Sequence, residues 1–109
     1  MNTIPVPIDA LEFRGLIGNK TWDEITGPEF FTALEKCGWR EAHNAHIFLR
    51  LCQRGPGLGI LTPNDFARAL RDGYTIPAGD GALERRCRAR GGEFAVIYRE
   101  GAFITFVHR

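Results

Sequence analysis

The spacing of apolar residues changes once along this chain, and that change restricts the fold more than any other feature. Up to about Gly73, apolar residues recur at three- and four-residue intervals, the period of a helix. After Tyr74 they alternate or gather in short β-rich runs, the period of a strand. Helices followed by strands, with no βαβ alternation, read as an α+β fold. We therefore expect N-terminal helices packed on a C-terminal three- to four-stranded antiparallel sheet. With 109 residues, 44% of them hydrophobic, the chain suits one domain over 1–109. Its helical part covers 1–40 and its core 41–109.

The helical part divides at glycines and prolines. Ile8, Leu11, Leu16 and Ile17 predict a short helix that ends at Gly18-Asn19. Gly27-Pro28 opens a second, with proline at a favoured first position, Phe30, Phe31, Leu34 and Cys37 on one face, and Gly38 as its cap. A third runs from about Trp39 to Arg54 and stops at Gly55-Pro-Gly-Leu-Gly59. Thr62-Pro-Asn-Asp65 then reads as an N-cap, a first-turn proline and a first-turn acid. Phe66, Ala69 and Leu70 face inward, and Gly73 closes that helix. Ile76-Pro-Ala-Gly-Asp-Gly81 reads as a turn-rich connection and Leu83 to Arg90 as a strand. Glu93 to Arg99 and Ala102 to His108 form a hairpin about Glu100-Gly101. A two-residue turn there pairs Ile97 with Ile104, Ala95 with Phe106, Val96 with Thr105 and Tyr98 with Phe103. Ala95, Ile97, Ile104 and Phe106 are then expected against the helices. Tyr98 and Thr105 share the other face.

The chemistry concentrates on the third helix. At ~100° per residue His43, His46, Arg50 and Arg54 share a stripe roughly 80° wide. Ala45, Ile47, Phe48, Leu49, Leu51 and Cys52 occupy the remainder, so the helix reads as buried on most sides. Attack of a ribose 2′-hydroxyl on the adjacent phosphate needs a group that titrates near neutrality and a cation for the charge that develops. Histidine and arginine supply these. The bland reading is a solvated edge whose arginines pair with acids. Gly55-Pro-Gly-Leu-Gly59 is a turn, or weakly a phosphate cradle, since it lacks the P-loop lysine. Arg85-Arg86-Cys-Arg88-Ala-Arg90 is a backbone track for nucleic acid, a charged edge strand, or a dock for an acidic partner. Thr105 is a structural strand former or a phosphate contact.

Several classes are disfavoured. Formal net charge is +1, so bulk charge does not mark a nucleic-acid binder, although Arg99, His108 and Arg109 add to the arginine cluster late in the chain. Cys37, Cys52 and Cys87 are odd in number and widely spaced, which suggests reduced thiols. The histidines lack metal-ligand spacing, and neither a metal nor a cofactor is expected. No apolar run is long enough to cross a membrane, and the N-terminal residues lack the pattern of a secretory signal.

From about Ala42 to His108 the chain resembles a toxin-type ribonuclease of the barnase–EndoU–colicin–RelE superfamily, the kind found as C-terminal domains of contact-dependent inhibition and Rhs-type polymorphic toxins. The likeness lies in His46-x-x-x-Arg50, Arg54-Gly55, the glycine-rich turn and Ile60-x-Thr-Pro. The short helix Asp65 to Gly73 and the closing Phe103-Ile-Thr105-Phe complete it. The resemblance implies metal-independent cleavage of RNA, often tRNA, with His46 as general acid/base, Arg50 stabilising charge and Thr105 contacting phosphate. Tyr98 is a further catalytic candidate. Arg54, Arg86, Arg88, Arg99 and His43 are substrate-binding candidates. It also implies a monomer delivered into a target-cell cytoplasm and neutralised by a cognate immunity protein. The alternative is a non-enzymatic module binding protein or nucleic acid through Arg85–Arg90. ADP-ribosyl transfer would want a catalytic glutamate beside a nicotinamide pocket, and no arrangement in the sequence singles one out.

Overall fold

The computed structural model describes residues 8–37, 45–99 and 102–108, with the backbone alone for Ala45, His46, Ala102, Phe103, Ile104 and His108. Its helices begin where local hydrogen bonding can satisfy their first amides. Helix α1 (Ala10–Ile17) starts at Asp9, whose carboxylate accepts from the amides of Leu11 and Glu12 at 3.0 Å each, and ends at Gly18 with φ of 67°. Helix α2 (Gly27–Lys36) carries a capping box between Thr26 and Glu29; Cys37 stands at its C-cap, and Gly38 lies outside the described residues. Helix α3 (Ala45–Arg54) follows; 39–44 of the expected span lie outside the described residues. Helix α4 (Pro63–Asp72) has the expected start, Thr62 and Asp65 forming a reciprocal capping box, and closes at Gly73.

Four strands then form one antiparallel sheet in chain order: β1 (Tyr74–Gly79), β2 (Ala82–Ala89), β3 (Gly92–Arg99) and β4 (Ala102–His108). The architecture is α+β, helices followed by an antiparallel sheet. The segment expected as a connection, Ile76 to Gly81, instead supplies most of β1. Pro77 is tolerated because β1 is an edge strand, where a missing amide breaks no ladder on the open side. The β1–β2 turn is carried by positive φ at Gly79, Asp80 and Gly81.

The hairpin register also differs from expectation. Arg99 pairs with Ala102 and Tyr98 with Phe103, but Ile97 pairs with Thr105, so Ile104 is an extra residue in β4. The Glu100-Gly101 turn itself lies outside the described residues. Beyond the bulge every pair is displaced by one. Val96 faces Phe106 and Ala95 faces Val107, and the two faces exchange roles. Phe94, Val96, Tyr98 and Phe106 meet the helices, not Ala95 and Ile97. The sequence Phe94-Ala-Val-Ile-Tyr98 is apolar on both faces, so alternation alone could not choose between them. The larger side chains took the side where helices could cover them.

Helices and sheet share one core through a chain of rings. Phe30 contacts Phe13, Trp22, Phe31, Phe48 and Phe66 at centroid distances of 5.5–6.1 Å. Phe66 stacks on Phe94 at 6.0 Å, and Phe94 on Phe106 at 5.3 Å. The Trp22 indole donates to the Ile60 carbonyl at 3.0 Å, tying the segment before α2 to the one before α4.

Arg85 points into the helix side of the sheet and closes the end of α4. It donates to the Leu70 carbonyl at 2.8 Å, the Arg71 carbonyl at 2.9 Å and the Thr75 hydroxyl at 3.1 Å. A cation on the last helical carbonyls complements both their lone pairs and the helix dipole. Arg85→Ala is expected to lower unfolding free energy by about 2–3 kcal/mol. In urea titration, an unchanged midpoint would refute that role.

Candidate functional site

Helix α3 sits beside β4, the edge of the sheet. Ile47 and Leu51 are buried, with Phe48 and Cys52 packed against the core. Leu49 is 52% exposed, so the buried face is narrower than the wheel suggests. Arg50 is half-buried and donates from Nη1 to the Phe106 carbonyl at 3.2 Å. Its positive charge is thereby fixed at the sheet edge. Arg54, one turn further on, is exposed. His46 lies one turn before Arg50 on α3, so the helical repeat sets both on the same side; its side chain and all of His43 lie outside the described residues.

The face of the sheet turned away from the helices has a composition of its own. Along β2, Leu83, Cys87 and Ala89 join the core, while Glu84, Arg86 and Arg88 alternate to the other side. Pairing aligns residues in rows across that face. One row is Ile76, Glu84, Ile97 and Thr105; the next is Tyr74, Arg86, Ala95 and Val107. Glu84 is the buried charged residue of the described chain, 5% exposed, and its carboxylate meets Arg86 Nε at 2.7 Å. The carboxylate of Glu84, then the hydroxyl of Tyr74, hold Arg86 above the usual arginine range. Tyr74 is 59% exposed. Ala95, between Arg86 and Val107 in that row, is fully buried.

The structure therefore separates residues that the sequence seemed to group. Thr105 is half-buried on the open face, in the Glu84 row. Tyr98 lies on the opposite, helix-packed face with no exposure, its hydroxyl 3.4 Å from that of Thr75. It belongs to the core and does not meet Thr105. Arg88 pairs with Glu93 at 3.0 Å near solvent, and Arg99 donates to the Asp80 carbonyl at 2.6 Å. The arginine cluster is thus split by strand alternation, with Arg85 inward and Arg86 and Arg88 outward. Glu84 and Tyr74 were not singled out from sequence. The signal for Glu84 was its place in the alternation Leu83-Glu-Arg-Arg-Cys87, which becomes informative only once one face is known to be covered.

The glycine-rich turn has a packing role. Gly59 adopts φ of +83°, and a Cβ there would meet Arg90 Cβ at 2.8 Å. The Gly91 amide donates to the Leu58 carbonyl at 2.9 Å, and a side chain on Gly91 would strike the Gly57 carbonyl. Two glycine-bearing segments thus meet backbone to backbone, which holds the β2–β3 turn against the loop before α4.

Among the described residues no group of three or more histidine, cysteine or acidic side chains comes together to hold a metal ion, and no helix is long and apolar enough to cross a membrane. No family model, curated protein or solved structure matches the chain.

The thiols lie apart from this face in chemistry as well as position. Burial pushes Cys87 up to about 12, and burial aided by Glu12 and Asp9 pushes Cys37 up to about 11. Burial, then the charge of Asp23, raises Cys52 as well. Since the thiolate is the reactive form, all three are expected to react with a disulfide reagent near neutral pH far more slowly than free cysteine. A stopped-flow trace with one thiol reacting at the free rate would contradict this.

Proposed function

We propose that the chain is an RNA-cleaving domain of the toxin type, acting by attack of a 2′-hydroxyl on its adjacent phosphate without a metal. The observation that carries this reading is Glu84, whose side chain is only 7% exposed and is held by Arg86 on the face of the sheet turned away from the helices. Buried carboxylates are retained where they are partnered and commonly where they are used. Here the partner is a cation suited to phosphate, and an exposed phenol stands beside it.

In this proposal Glu84 accepts the proton of the attacking hydroxyl, and Arg86 neutralises charge on the phosphate as the fifth bond forms. Thr105 lies two strand spacings from Glu84 in the same row, roughly 10 Å, with the half-buried Ile97 between them, so its hydroxyl is assigned to a flanking phosphate. Arg50 fixes a second positive charge at the neighbouring edge. His46, on the same side of α3 as Arg50, protonates the departing 5′-oxygen. The proton is taken at one end and delivered at the other, so the reaction balances with no outside reagent. The substrate is RNA, with tRNA the first to test. A toxin of this kind would reach a target-cell cytoplasm as part of a larger effector and be neutralised by an immunity protein covering this face.

The competing proposal is a non-enzymatic module that binds protein or nucleic acid through Arg85–Arg90. What favours it is that Arg88 is 83% exposed and Arg90 has no side-chain partner among the described residues.

Incubation with total tRNA in the presence of EDTA separates the two. Discrete fragments are expected from the parent chain. Glu84→Gln and His46→Ala should each slow cleavage by about 10²–10⁴-fold while leaving the far-ultraviolet circular dichroism unchanged. Intact RNA after prolonged incubation with the parent would sink the enzymatic proposal. Full activity in Glu84→Gln would remove Glu84 from it.

A further inference from the structure

Three cavities in the surface share walls. The first, about 270 Å³, lies between α1 and α4 and is lined by Arg14, Asn64, Asp65, Arg68 and Arg71 among others. The second, about 420 Å³, shares Asp65 and Arg68 with it and continues past Asp72 to Arg88 and Arg90 at the β2–β3 turn. The third, about 250 Å³, shares Asp72 and Arg88 with the second and reaches Tyr74 and Arg86 on the open face of the sheet. Through these shared residues they follow one another from α1, over the exposed side of α4, to Arg86.

The charge along this path is one-sided. Arg14, Arg68, Arg71, Arg88 and Arg90 line the first two cavities against Asp65 and Asp72, and Glu93 in the third pairs with Arg88 at 3.0 Å. Asp65 and Asp72 hold Arg68 and Arg71, whose side chains remain 58% and 50% exposed. Arg14 and Arg90 are exposed and have no side-chain partner among the described residues. In a chain whose formal net charge is +1, this is a local concentration of guanidinium groups strung along a line. A line of cations matches a chain of phosphates better than it matches a single anion. Exposed Tyr74, where the path meets the open face, offers a surface on which a base can stack.

We infer that this groove is an extended binding track for single-stranded RNA, one that holds phosphates several nucleotides away from the bond at Glu84. The inference rests on the ribonuclease reading for its destination, while the track itself is a matter of binding. It makes the preferred substrate a long single-stranded segment in place of a dinucleotide. Arg14 and Arg90 are its two outlying phosphate contacts, one on α1 and one beyond β2, and neither touches the reacting atoms.

The test uses fluorescein-labelled 2′-O-methyl oligonucleotides, which cannot be cleaved because the attacking hydroxyl is blocked. Anisotropy is read for a tetramer and a dodecamer at several salt concentrations. The parent chain should bind the dodecamer at least tenfold more tightly than the tetramer. A double variant, Arg14→Ala with Arg90→Ala, should lose most of that advantage, with a salt slope smaller by about 1.4, or roughly 0.7 for each phosphate contact removed. Tetramer binding should be unchanged. Equal binding of both lengths, or a double variant that binds the dodecamer like the parent, overturns the track. Absence of oligonucleotide binding also overturns it and leaves the groove to an acidic protein. Because the probe is inert to cleavage, failure of the tRNA assay and failure of this one are read separately.

Discussion

The stack of rings from Phe30 through Phe66 and Phe94 to Phe106 is the contact on which the rest of the structure depends. It is the point at which three layers of sequence, α2, α4 and the β3–β4 hairpin, become one core. Each ring is essentially inaccessible to solvent, and rings of this size dominate the apolar area a small domain can bury. Once Phe94 and Phe106 turn toward the helices, strand alternation commits every other residue of the sheet. Glu84, Arg86, Arg88 and Thr105 must then face away, whatever their chemistry.

That commitment divides the arginines by role. Arg85, on the covered face, saturates carbonyls at the end of α4 and serves the fold. Arg50 does similar work at the sheet edge by binding the Phe106 carbonyl, which leaves its charge in place but its geometry fixed. Arg86 is held between a buried carboxylate and a phenol. Arg14 and Arg90 are held by nothing comparable among the described residues. A positively charged residue bound to the protein's own groups is pre-organised, whereas an unpartnered one is available to a mobile polyanion. The proposed site and the proposed track draw on these two kinds respectively.

Much of the helical half was legible without a structure because its signals are local. A capping threonine, a proline in the first turn and an acid three residues after the cap specify a helix start within one turn of chain, and Thr62-Pro-Asn-Asp65 forms that cap as expected. The site was less legible. His46 and Arg50 were recognisable as neighbours because the helical repeat is itself local. Tyr98 and Thr105 were misgrouped because a single extra residue in β4 displaced the register. A bulge is settled by how two strands and their neighbours pack, not by the residues around the turn alone. Glu84 was not singled out as a site residue for a different reason: a glutamate in a strand looks solvated until its face and its neighbours are known.

The residue order by itself determined the division into helices and strands, most helix starts and stops, and the α+β class, since each depends on interactions within a few residues. Tertiary structure alone decided which side of the sheet the helices cover, that Ile76 to Gly79 extends as an edge strand, and which charged groups share a face. β3 is apolar on both sides, so its own pattern was indifferent. The balance was settled by where Phe66 and its neighbours could be matched ring to ring.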